Sequence, residues 1–489
     1  MRDRWSSRMV FLFAAIGSAV GLGNLWRFPY LTYKYGGGAF IIPYLIALIV
    51  IGLPLLWLEF ALGQKLQKGA VGAFAAIKGR LRGIGVGAVY SGFIVVTYYA
   101  AVMAWSLIYL IRSFSFDKVP WADDAKSFFY TDVLNISDGI GQIGGLNWTL
   151  VLALIAVWVM IYFCVWKGVK SAGKVVMVTM PLPAILLVVL LVRGLTLEGA
   201  ATGIAYYITP NFRALLDGEL WIAAISQIFF TLSLAFGIMI AYASYNKKSQ
   251  DITKDGVITA VTNSAISIVA GFVVFAVIGY MSATTITPVT EVVTGGPGLA
   301  FVVFPQALSL MPVGWLFSIL FFVTLLSLGI DSAFSLVEAV NTAIFDATKK
   351  VKKPIVALVV CGIGLIGGLL FVTRAGLYYL DLVDHFITNY GLVLVGIMSS
   401  IAVGWVYGAK KMREFINSTS SWKLGVWWDY CIKYVIPIAM LVFLVTSVIQ
   451  DIKVPYEGYP MTAIWIGWII VFVPVVVGII LAFVKPKEA

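Results

Sequence analysis

The sequence predicts an all-α integral membrane protein with about 12 transmembrane helices. Of its 489 residues, 61% are hydrophobic and only 12% are charged, whereas soluble domains carry about a quarter charged residues. The apolar residues fall in runs of roughly 20, the length that a helix needs to cross a hydrocarbon core about 30 Å thick. The alternating pattern of a membrane barrel is not seen, so helices are the expected way to satisfy the backbone in lipid.

The predicted spans follow one another along the whole chain, separated by polar connections. They lie near residues 9–34, 39–63, 85–112, 148–166, 174–194, 220–244, 255–282, 313–346, 354–373, 377–407, 425–449 and 461–484. With the N-terminus inside, 24 of the 34 Lys and Arg residues fall on its side of the membrane. Because basic residues concentrate in cytoplasmic loops, we expect both termini in the cytoplasm of a multi-pass plasma-membrane protein.

Two spans, the first and the sixth, contain residues that interrupt a helix. The first carries Gly17, Gly21 and Asn24, and the sixth carries Ser233 and Gly237. Glycine also serves close packing in membrane helices, but Asn24 is costly at that depth unless it has a function. Interrupted helices at matching positions point to a 5+5 inverted repeat with a mid-membrane site. The expected units are helices 1–5 at 1–194, helices 6–10 at 195–408 and helices 11–12 with a cytoplasmic C-terminus at 409–489.

Polar residues in the eighth span form a candidate cation site. Leu328, Asp331, Ser332 and Ser335 are spaced so that they share one helix face. Asp331 and Ser332 offer a carboxylate and a hydroxyl, and hard cations such as sodium take oxygen ligands. An unwound stretch near Gly17 would add backbone carbonyls. The alternative is that Asp331 pairs with an arginine or caps a backbone group.

The same broken helices suit a small zwitterion. Freed N–H groups at a half-helix N-terminus bind a carboxylate, and freed carbonyls on the other helix bind an ammonium group. Enzyme and nucleotide-driven pump classes are not supported, since the chain has a single histidine and no HExxH, GxSxG or phosphate-binding loop. No basic-aromatic motif indicates nucleic acid, despite a net charge of +11.

Several motifs, in order along essentially the whole chain, resemble those of the neurotransmitter:sodium symporter family. They are Arg4-Trp5-Ser6-Ser7-Arg8, the run from Gly17 to Tyr30, Gly36-Gly37-Gly38-Ala39-Phe40, Lys167-Gly168-Val169-Lys170-Ser171, the run from Gln227 to Ser233, Ala241-Tyr242-Ala243-Ser244-Tyr245, and Gly329-Ile330-Asp331-Ser332. The resemblance implies two sodium ions. One site would use Ala19, Asn24, Thr231 and Asn263 with the substrate carboxylate; the other would use Gly17, Val20, Leu328, Asp331 and Ser332.

The resemblance also implies a substrate site. The carboxylate would meet the backbone N–H groups of Leu22 and Gly23 and the hydroxyl of Tyr99. The ammonium would meet the carbonyls of Ala19, Phe230 and Thr231 and the hydroxyl of Ser233. The side-chain pocket would be lined by Val95, Phe230, Phe236, Ser332 and Leu336.

Gates and a chloride site are implied in the same way. The outer gate would be Arg27 with Asp384, covered by Tyr99 and Phe230, and the inner gate Arg2 with Asp346, beside Trp5 and Tyr245. Glu59 matches a family glutamate on the second helix. Chloride would be held by Tyr44, Gln227, Thr231, Asn263 and Ser267, which can donate hydrogen bonds and carry no negative charge. The alternative is that Ser267 bonds only its own helix and Glu59 or Asp331 balances the sodium charge.

The expected function is therefore a sodium-coupled symporter, with chloride as a further ion, that carries small to medium aliphatic neutral amino acids by alternating access. Gly21 lacks the carboxylate that monoamine carriers of the family place there, so the substrate should bring its own. Ala235 and Phe236 are expected to narrow the pocket. A monoamine or osmolyte carrier, a transporter-like sensor, a channel and a membrane-embedded enzyme are the alternatives. The oligomeric state and the physiological amino acid are left open.

Overall fold

The computed structural model describes residues 3–289, 295–348 and 351–484. Over these ranges the chain is built from helices, and the described residues form only two isolated β-bridges, Gly37 with Pro210 and Leu146 with Thr373. The all-α prediction is confirmed. Arg2, the predicted inner-gate arginine, lies outside the described residues.

Twelve helical segments, numbered here in chain order, carry the fold. They are α1 (Arg8–Ala19 and Leu22–Lys34), α2 (Gly38–Leu66), α3 (Gly79–Arg112), α4 (Trp148–Val165), α5 (Val169–Leu195), α6 (Gly218–Thr231 and Ile238–Ala243), α7 (Ile252–Thr285), α8 (Gly314–Ala347), α9 (Lys353–Val372), α10 (Gly376–Thr419), α11 (Val426–Gly458) and α12 (Met461–Phe483). Short helices at Ala70–Ile77, Ala200–Ile208 and Leu299–Ser309 connect them.

Ten of these segments, within the described ranges, are long and apolar enough to cross a membrane, and the two halves of α1 would together make an eleventh. The halves of α1 meet at an angle of 61°. The sixth segment is split into pieces of 14 and 6 residues, each too short to span alone. The breaks in helices 1 and 6 are therefore observed, whereas the count of 12 spans and the inverted repeat stay predictions.

The break in α1 falls at Val20 and Gly21, which are both extended. The side chain of Asn24 accepts a hydrogen bond from the backbone N–H of Gly21 at 2.8 Å, which starts the second half. The last carbonyls of the first half and the first N–H groups of the second half thus lie at the same level. Because they are at helix ends, they have no hydrogen-bond partners within the helix.

The break in α6 is held in an unusual backbone conformation. Ser233, Ala235 and Gly237 have φ values of 52°, 66° and 75°, in the left-handed region that costs non-glycine residues roughly 1–2 kcal/mol. Glu59 of α2 supports it, because its Oε1 accepts from the N–H of Ala235 at 2.7 Å. The second carboxylate oxygen of Glu59 is buried and has no hydrogen-bond partner among the described residues.

The centre of the bundle is α3 packed along α8, with both broken helices against α8. In α3, 78% of the most apolar stretch is buried inside the protein, whereas in α12 only 17% is. Therefore α12 lies at the lipid-facing periphery, and the breaks of α1 and α6 are placed next to the most enclosed helices.

Candidate functional site

A small cavity lies between the two breaks. It is lined by Ser18, Ala19, Gly21, Leu22, Gly23, Asn24, Val95, Tyr99, Phe230, Thr231, Ser233, Phe236, Ile238, Ser332 and Leu336. About 40 Å³ of it is accessible to the centre of a water-sized sphere, enough for about three waters. All 11 residues expected to bind substrate are brought to this one cavity, and their role stays a prediction. Ala235 is not on its wall.

The N–H side of the cavity is formed by the start of the second half of α1. The N–H of Leu22 donates to the hydroxyl of Tyr99 at 3.1 Å. A Cβ atom on Gly21 would lie 2.9 Å from Ser332 Oγ and 3.1 Å from the Tyr99 hydroxyl. A side chain at position 21 would therefore have to displace these two hydroxyls, and a polar ligand there would meet backbone N–H groups and the same hydroxyls.

The carbonyl side is formed by the end of the first half of α1. The carbonyl of Ser18 accepts from Ser233 Oγ at 2.8 Å and from Ser332 Oγ at 3.4 Å. The hydroxyls of Ser18 and Ser335 are 2.9 Å apart. Sequence reasoning did not assign Ser18, although it stands directly at the interruption. These hydroxyls join α1 to α6 and α8 at the cavity floor.

A buried carboxylate lies directly behind the break in α1. Asp331 is 2% exposed, and its Oδ1 accepts from Thr179 of α5 at 2.5 Å. A Cβ atom on Gly17 would lie 2.5 Å from Asp331 Oδ2, so this glycine lets the carboxylate reach the backbone of α1. Val20 and Leu328 pack in one small apolar cluster beside it.

The five residues expected at this sodium site are thus close together. Asp331 is in no ion pair with Lys or Arg in the part of the chain that the structure describes, which disfavours the alternative of an arginine partner. The oxygen ligands available to a cation are the carboxylate of Asp331, the hydroxyl of Ser332 and nearby backbone carbonyls. This all-oxygen set suits a hard cation such as sodium. Thr179 was missed because nothing in the sequence relates it to position 331.

Asn24 is the centre of a second polar cluster. Its Nδ2 donates to Asn263 Oδ1 and to Ser267 Oγ, both at 2.8 Å. The hydroxyl of Thr231 and the amide of Asn263 lie 3.2 Å apart. All four side chains are buried. Asn263 therefore contacts both Asn24 and Thr231, the other side chains expected at this sodium site, and Ala19 lies at the cavity wall nearby.

The expected chloride residues lie on the same cluster. The hydroxyl of Tyr44 donates to Ser264 at 3.0 Å, a serine that sequence reasoning did not assign. Gln227 is fully buried, and neither polar atom of its amide has a hydrogen-bond partner among the described residues. An unmet buried polar group costs about 1–3 kcal/mol. The N–H₂ donors of this amide are available to a small anion, whereas the hydroxyls of Tyr44 and Ser267 donate to Ser264 and to the backbone carbonyl of Asn263. The bond from Ser267 to its own helix agrees with the alternative stated for this residue, although Ser267 also accepts from Asn24.

On the outer side, the expected gate residues do not touch. Arg27 donates to Ser226 Oγ at 2.9 Å and lies over the ring of Phe230, 5.3 Å from its centre. Asp384 accepts from the hydroxyl of Tyr98 at 2.5 Å. The described residues include no ion pair between Arg27 and Asp384. A polar cavity of about 280 Å³ lies beside Arg27.

On the inner side, aromatic residues close the route. The indole N–H of Trp5 donates to the carbonyl of Tyr242 at 2.9 Å, and its ring lies 6.2 Å from that of Tyr245. Tyr245 bonds Thr342 and Glu338 of α8 at 2.8 and 3.2 Å. Asp346 accepts from the N–H of Gly69 at 2.6 Å, and its expected pairing with Arg2 falls outside the described residues.

Comparisons with known proteins agree with this architecture. The family model described as the sodium:neurotransmitter symporter family matches residues 2–126 and 122–488. The chain is 41% identical over 486 residues to an uncharacterized sodium-dependent transporter of Methanocaldococcus jannaschii, covering 99% of this chain and 98% of that protein. It is 38% identical to the sodium- and chloride-dependent GABA transporter 2 of Rattus norvegicus (96% and 84% covered) and 36% identical to the sodium- and chloride-dependent taurine transporter of Bos taurus (98% and 85% covered).

Proposed function

Since the chain belongs to the sodium:neurotransmitter symporter family, whose members are transporters and not enzymes, we propose that it is a sodium-coupled symporter for small to medium aliphatic neutral amino acids. The observation that carries this proposal is the cavity between the two helix breaks, with backbone N–H groups on one side and hydroxyls and carbonyls on the other. A zwitterion supplies both complementary charges.

The absence of a side chain at position 21 supports amino acids over amines. The chain places no carboxylate at that position, and a side chain there would have to displace the hydroxyls of Ser332 and Tyr99, so the negative charge beside Asn24 is proposed to come with the substrate. Valine- or leucine-sized side chains fit the apolar wall of Val95, Phe236 and Leu336 better than tryptophan does. Overpacking such a small cavity costs typically 1–3 kcal/mol.

Two sodium ions are proposed, one at the Asn24 cluster and one at Asp331. When bound, they would supply positive charge near the substrate carboxylate. They would also lie on two sides of the α1 break and hold its two halves together. Each unit charge carried inward gains about 2.3 kcal/mol per 100 mV of membrane potential. Two such ions moving with a zwitterion would therefore drive concentrative uptake into a cell with a negative interior.

Chloride is proposed as the third ion. Its support is the unpartnered amide of Gln227, one helical turn before Thr231, together with a buried polar cluster of Asn24, Asn263 and Ser267 that carries no negative charge. An anion there would offset the cost of burying sodium without a counter-charge. The plasma membrane with both termini in the cytoplasm is the proposed location, because basic residues concentrate on the side of the N-terminus.

A second candidate substrate class comes from the relatives. GABA and taurine also carry an amine and an acid group, and proteins named for their transport are 36–38% identical to this chain. In these molecules the amine and the acid group are separated by two or three carbon atoms instead of one, so the two candidate classes differ in the spacing of their charges and not in bulk.

The test is uptake into liposomes containing purified protein, with and without an inward sodium gradient. Labelled alanine, valine, leucine, tryptophan, GABA, taurine and the amine formed by decarboxylating leucine are compared. We expect sodium-driven accumulation of the aliphatic amino acids and none of the amine. Best uptake of GABA or taurine would replace the proposed substrate class, and uptake that never exceeds equilibrium would show a channel or a sensor.

A further inference from the structure

A second, larger cleft lies far from the transport cavity, between α3, α10 and α12. About 350 Å³ of it is accessible to the centre of a water-sized sphere, compared with about 40 Å³ at the helix breaks. Its walls are apolar except for Arg80 and Ser91. None of its lining residues belongs to the substrate, sodium, chloride or gate sets described above.

Backbone contact at one end sets the shape of this cleft. A Cβ atom on Gly83 would lie 2.6 Å from the Cα of Gly478, so α3 and α12 touch there without intervening side chains. One turn away, Pro474 interrupts the hydrogen bonding of α12. Pro474 lines the cleft together with Gly87 of α3, where no side chain fills the space.

The cleft opens toward the surrounding bilayer. Its rim includes Met398, Val475 and Ile479, which are 44%, 39% and 56% exposed. These apolar residues lie on two membrane-crossing helices, so their exposed atoms face lipid and not water. A narrow apolar space open to lipid is filled at least cost by a hydrocarbon chain.

Two polar groups of the cleft lack partners. Arg80 is exposed at the end near the start of α3, and it makes no hydrogen bond or ion pair with any described residue. Its neighbour Arg82, by contrast, donates to the carbonyls of Leu481 and Val484. Ser91 is 1% exposed, and its hydroxyl has no partner among the described residues. It lies about 12 Å along α3 from Gly83.

We propose that this cleft binds one acidic phospholipid from the leaflet on the side of the N-terminus. The phosphate pairs with Arg80, and one acyl chain lies between α3, α10 and α12. Basic pockets between membrane helices on the cytoplasmic side are typical sites for acidic head groups. The cleft combines a basic side chain at one end with apolar walls along its length, which favours a lipid over a free phosphate.

The test measures lipid that stays bound when protein is extracted from vesicles containing equal phosphatidylglycerol and phosphatidylcholine, using native mass spectrometry. We expect about one retained phosphatidylglycerol per chain. Arg80→Gln should reduce its excess over phosphatidylcholine several-fold, whereas Arg112→Gln, an exposed arginine at the opposite end of α3, should leave it unchanged. Val475→Trp, which fills the cleft from its rim, should abolish retention.

Gel filtration and thermal melting of each variant separate loss of lipid from loss of fold, and the exposed position of Arg80 makes its variant the decisive one. Equal retention of both lipids by the wild type, or of phosphatidylglycerol by Arg80→Gln, would overturn the proposal. Displacement of the lipid by free glycerol phosphate would also overturn it, because the acyl chain would then contribute nothing. A wild-type dimer that Val475→Trp converts to a monomer would identify a second copy of this chain as the occupant instead.

Discussion

Thr179 and Asp331 form a contact at the residue scale that joins α5 to the face of α8 where a sodium site is proposed. The carboxylate is 2% exposed and receives its hydrogen bond from Thr179 at 2.5 Å. Thr179 is also the last residue of its helical segment before Pro181. The position of Asp331 therefore depends on the end of a helical segment that belongs to another element, α5.

Thr179→Val removes this donor while keeping the side-chain shape. A hydrogen bond to a charged group contributes about 1.5–3 kcal/mol, so we expect a lower melting temperature in sodium-free buffer, by several degrees. Thr179→Ser keeps the hydroxyl and should melt close to the wild type. Equal losses in both variants would mean that packing, and not the hydrogen bond, stabilises the site.

Gly21→Ala tests the cavity directly. The added Cβ would lie 2.9 Å from Ser332 Oγ and 3.1 Å from the Tyr99 hydroxyl, where the substrate carboxylate is proposed to bind. We expect sodium-driven amino-acid uptake to fall by more than tenfold, measured in liposomes at matched protein content. The control is Gly362→Ala, since position 362 has nothing within 4 Å of an added Cβ. Normal uptake by Gly21→Ala would place the carboxylate elsewhere.

Ser267→Glu tests the proposed chloride ion. Wild-type uptake should fall when chloride is replaced by gluconate, because the buried sodium ions lose their counter-charge. A glutamate at 267 places a fixed negative charge on the Asn24 cluster, so uptake by this variant should no longer depend on chloride. Wild-type uptake that is unchanged in halide-free gluconate would show that another group balances the charge.

Side-chain partners could be predicted from the sequence only where they share a helix face. The spacing of Leu328, Asp331 and Ser332 predicts their common face, but it contains no information on Thr179, which is 152 positions away. The same holds for the bond from Ser233 to Ser18, and for the direction of the Arg27 side chain toward Ser226. These contacts depend on how helices pack, which composition and periodicity do not determine.

At the scale of the element, the break in α6 carries backbone strain at a non-glycine residue. Ala235 has φ 66° and is held there by Glu59. Ala235 does not line the cavity, so its methyl group is no longer expected to limit the size of the substrate side chain. Since the left-handed conformation costs alanine about 1–2 kcal/mol, Ala235→Gly should raise the melting temperature without altering the preference among alanine, valine and leucine. A shift toward larger substrates would restore the first expectation.

Substitutions at Glu59 test the same break from the side of its hydrogen-bond acceptor. Glu59→Ala leaves the N–H of Ala235 without its buried acceptor, at a cost of about 1–3 kcal/mol, so both melting temperature and uptake should fall. Glu59→Gln keeps an acceptor oxygen and should retain most of the stability. If the two variants lose stability equally, the negative charge itself is what the α6 break requires.

Helix positions were predictable to within several residues, because hydropathy marks where the chain meets lipid. Ends were less predictable. For example, α10 continues to Thr419 and the α-helix of α11 to Lys453, beyond the expected 407 and 449. Lys410 and Lys411 end the apolar run but are compatible with helix, so the helix continues where the hydropathy signal stops. The breaks were predictable from Gly, Asn and Ser residues, but the left-handed Ala235 was not.

At the scale of the whole molecule, the two sides of the transport cavity are not equally closed. The inner side is covered by Trp5, which is 8% exposed, and by the ion pair of Arg8 with Asp255 at 2.7 Å. On the outer side, Arg27 and Asp384 are not paired, and a polar cavity lies beside Arg27. The described contacts are therefore more extensive on the side of the N-terminus than around Arg27 and Asp384, while cavities of about 260 and 280 Å³ lie on the two sides.

Trp5→Ala should destabilise the closed arrangement on the side of the N-terminus. Removing a buried tryptophan typically costs 3–5 kcal/mol, and the loss falls on the inward-closed state that contains the contact. A cysteine at Thr342, which is fully buried behind Tyr245, should then react faster with a thiol reagent added from the cytoplasmic side. Trp148→Ala, at a 70% exposed tryptophan, is the control. Unchanged labelling in Trp5→Ala would mean that other contacts keep the inner side closed.

The amide of Asn24 has a thermodynamic consequence. One side chain accepts from Gly21 at the substrate cavity and donates to Asn263 and Ser267, where sodium and chloride are proposed to bind. Substrate, sodium and chloride are each proposed to bind beside a group that this one amide contacts, so their binding affinities should depend on one another. By linkage, the factor by which sodium changes the affinity for chloride equals the factor by which chloride changes the affinity for sodium. Reciprocal titrations of the two ions would therefore have to return one coupling constant.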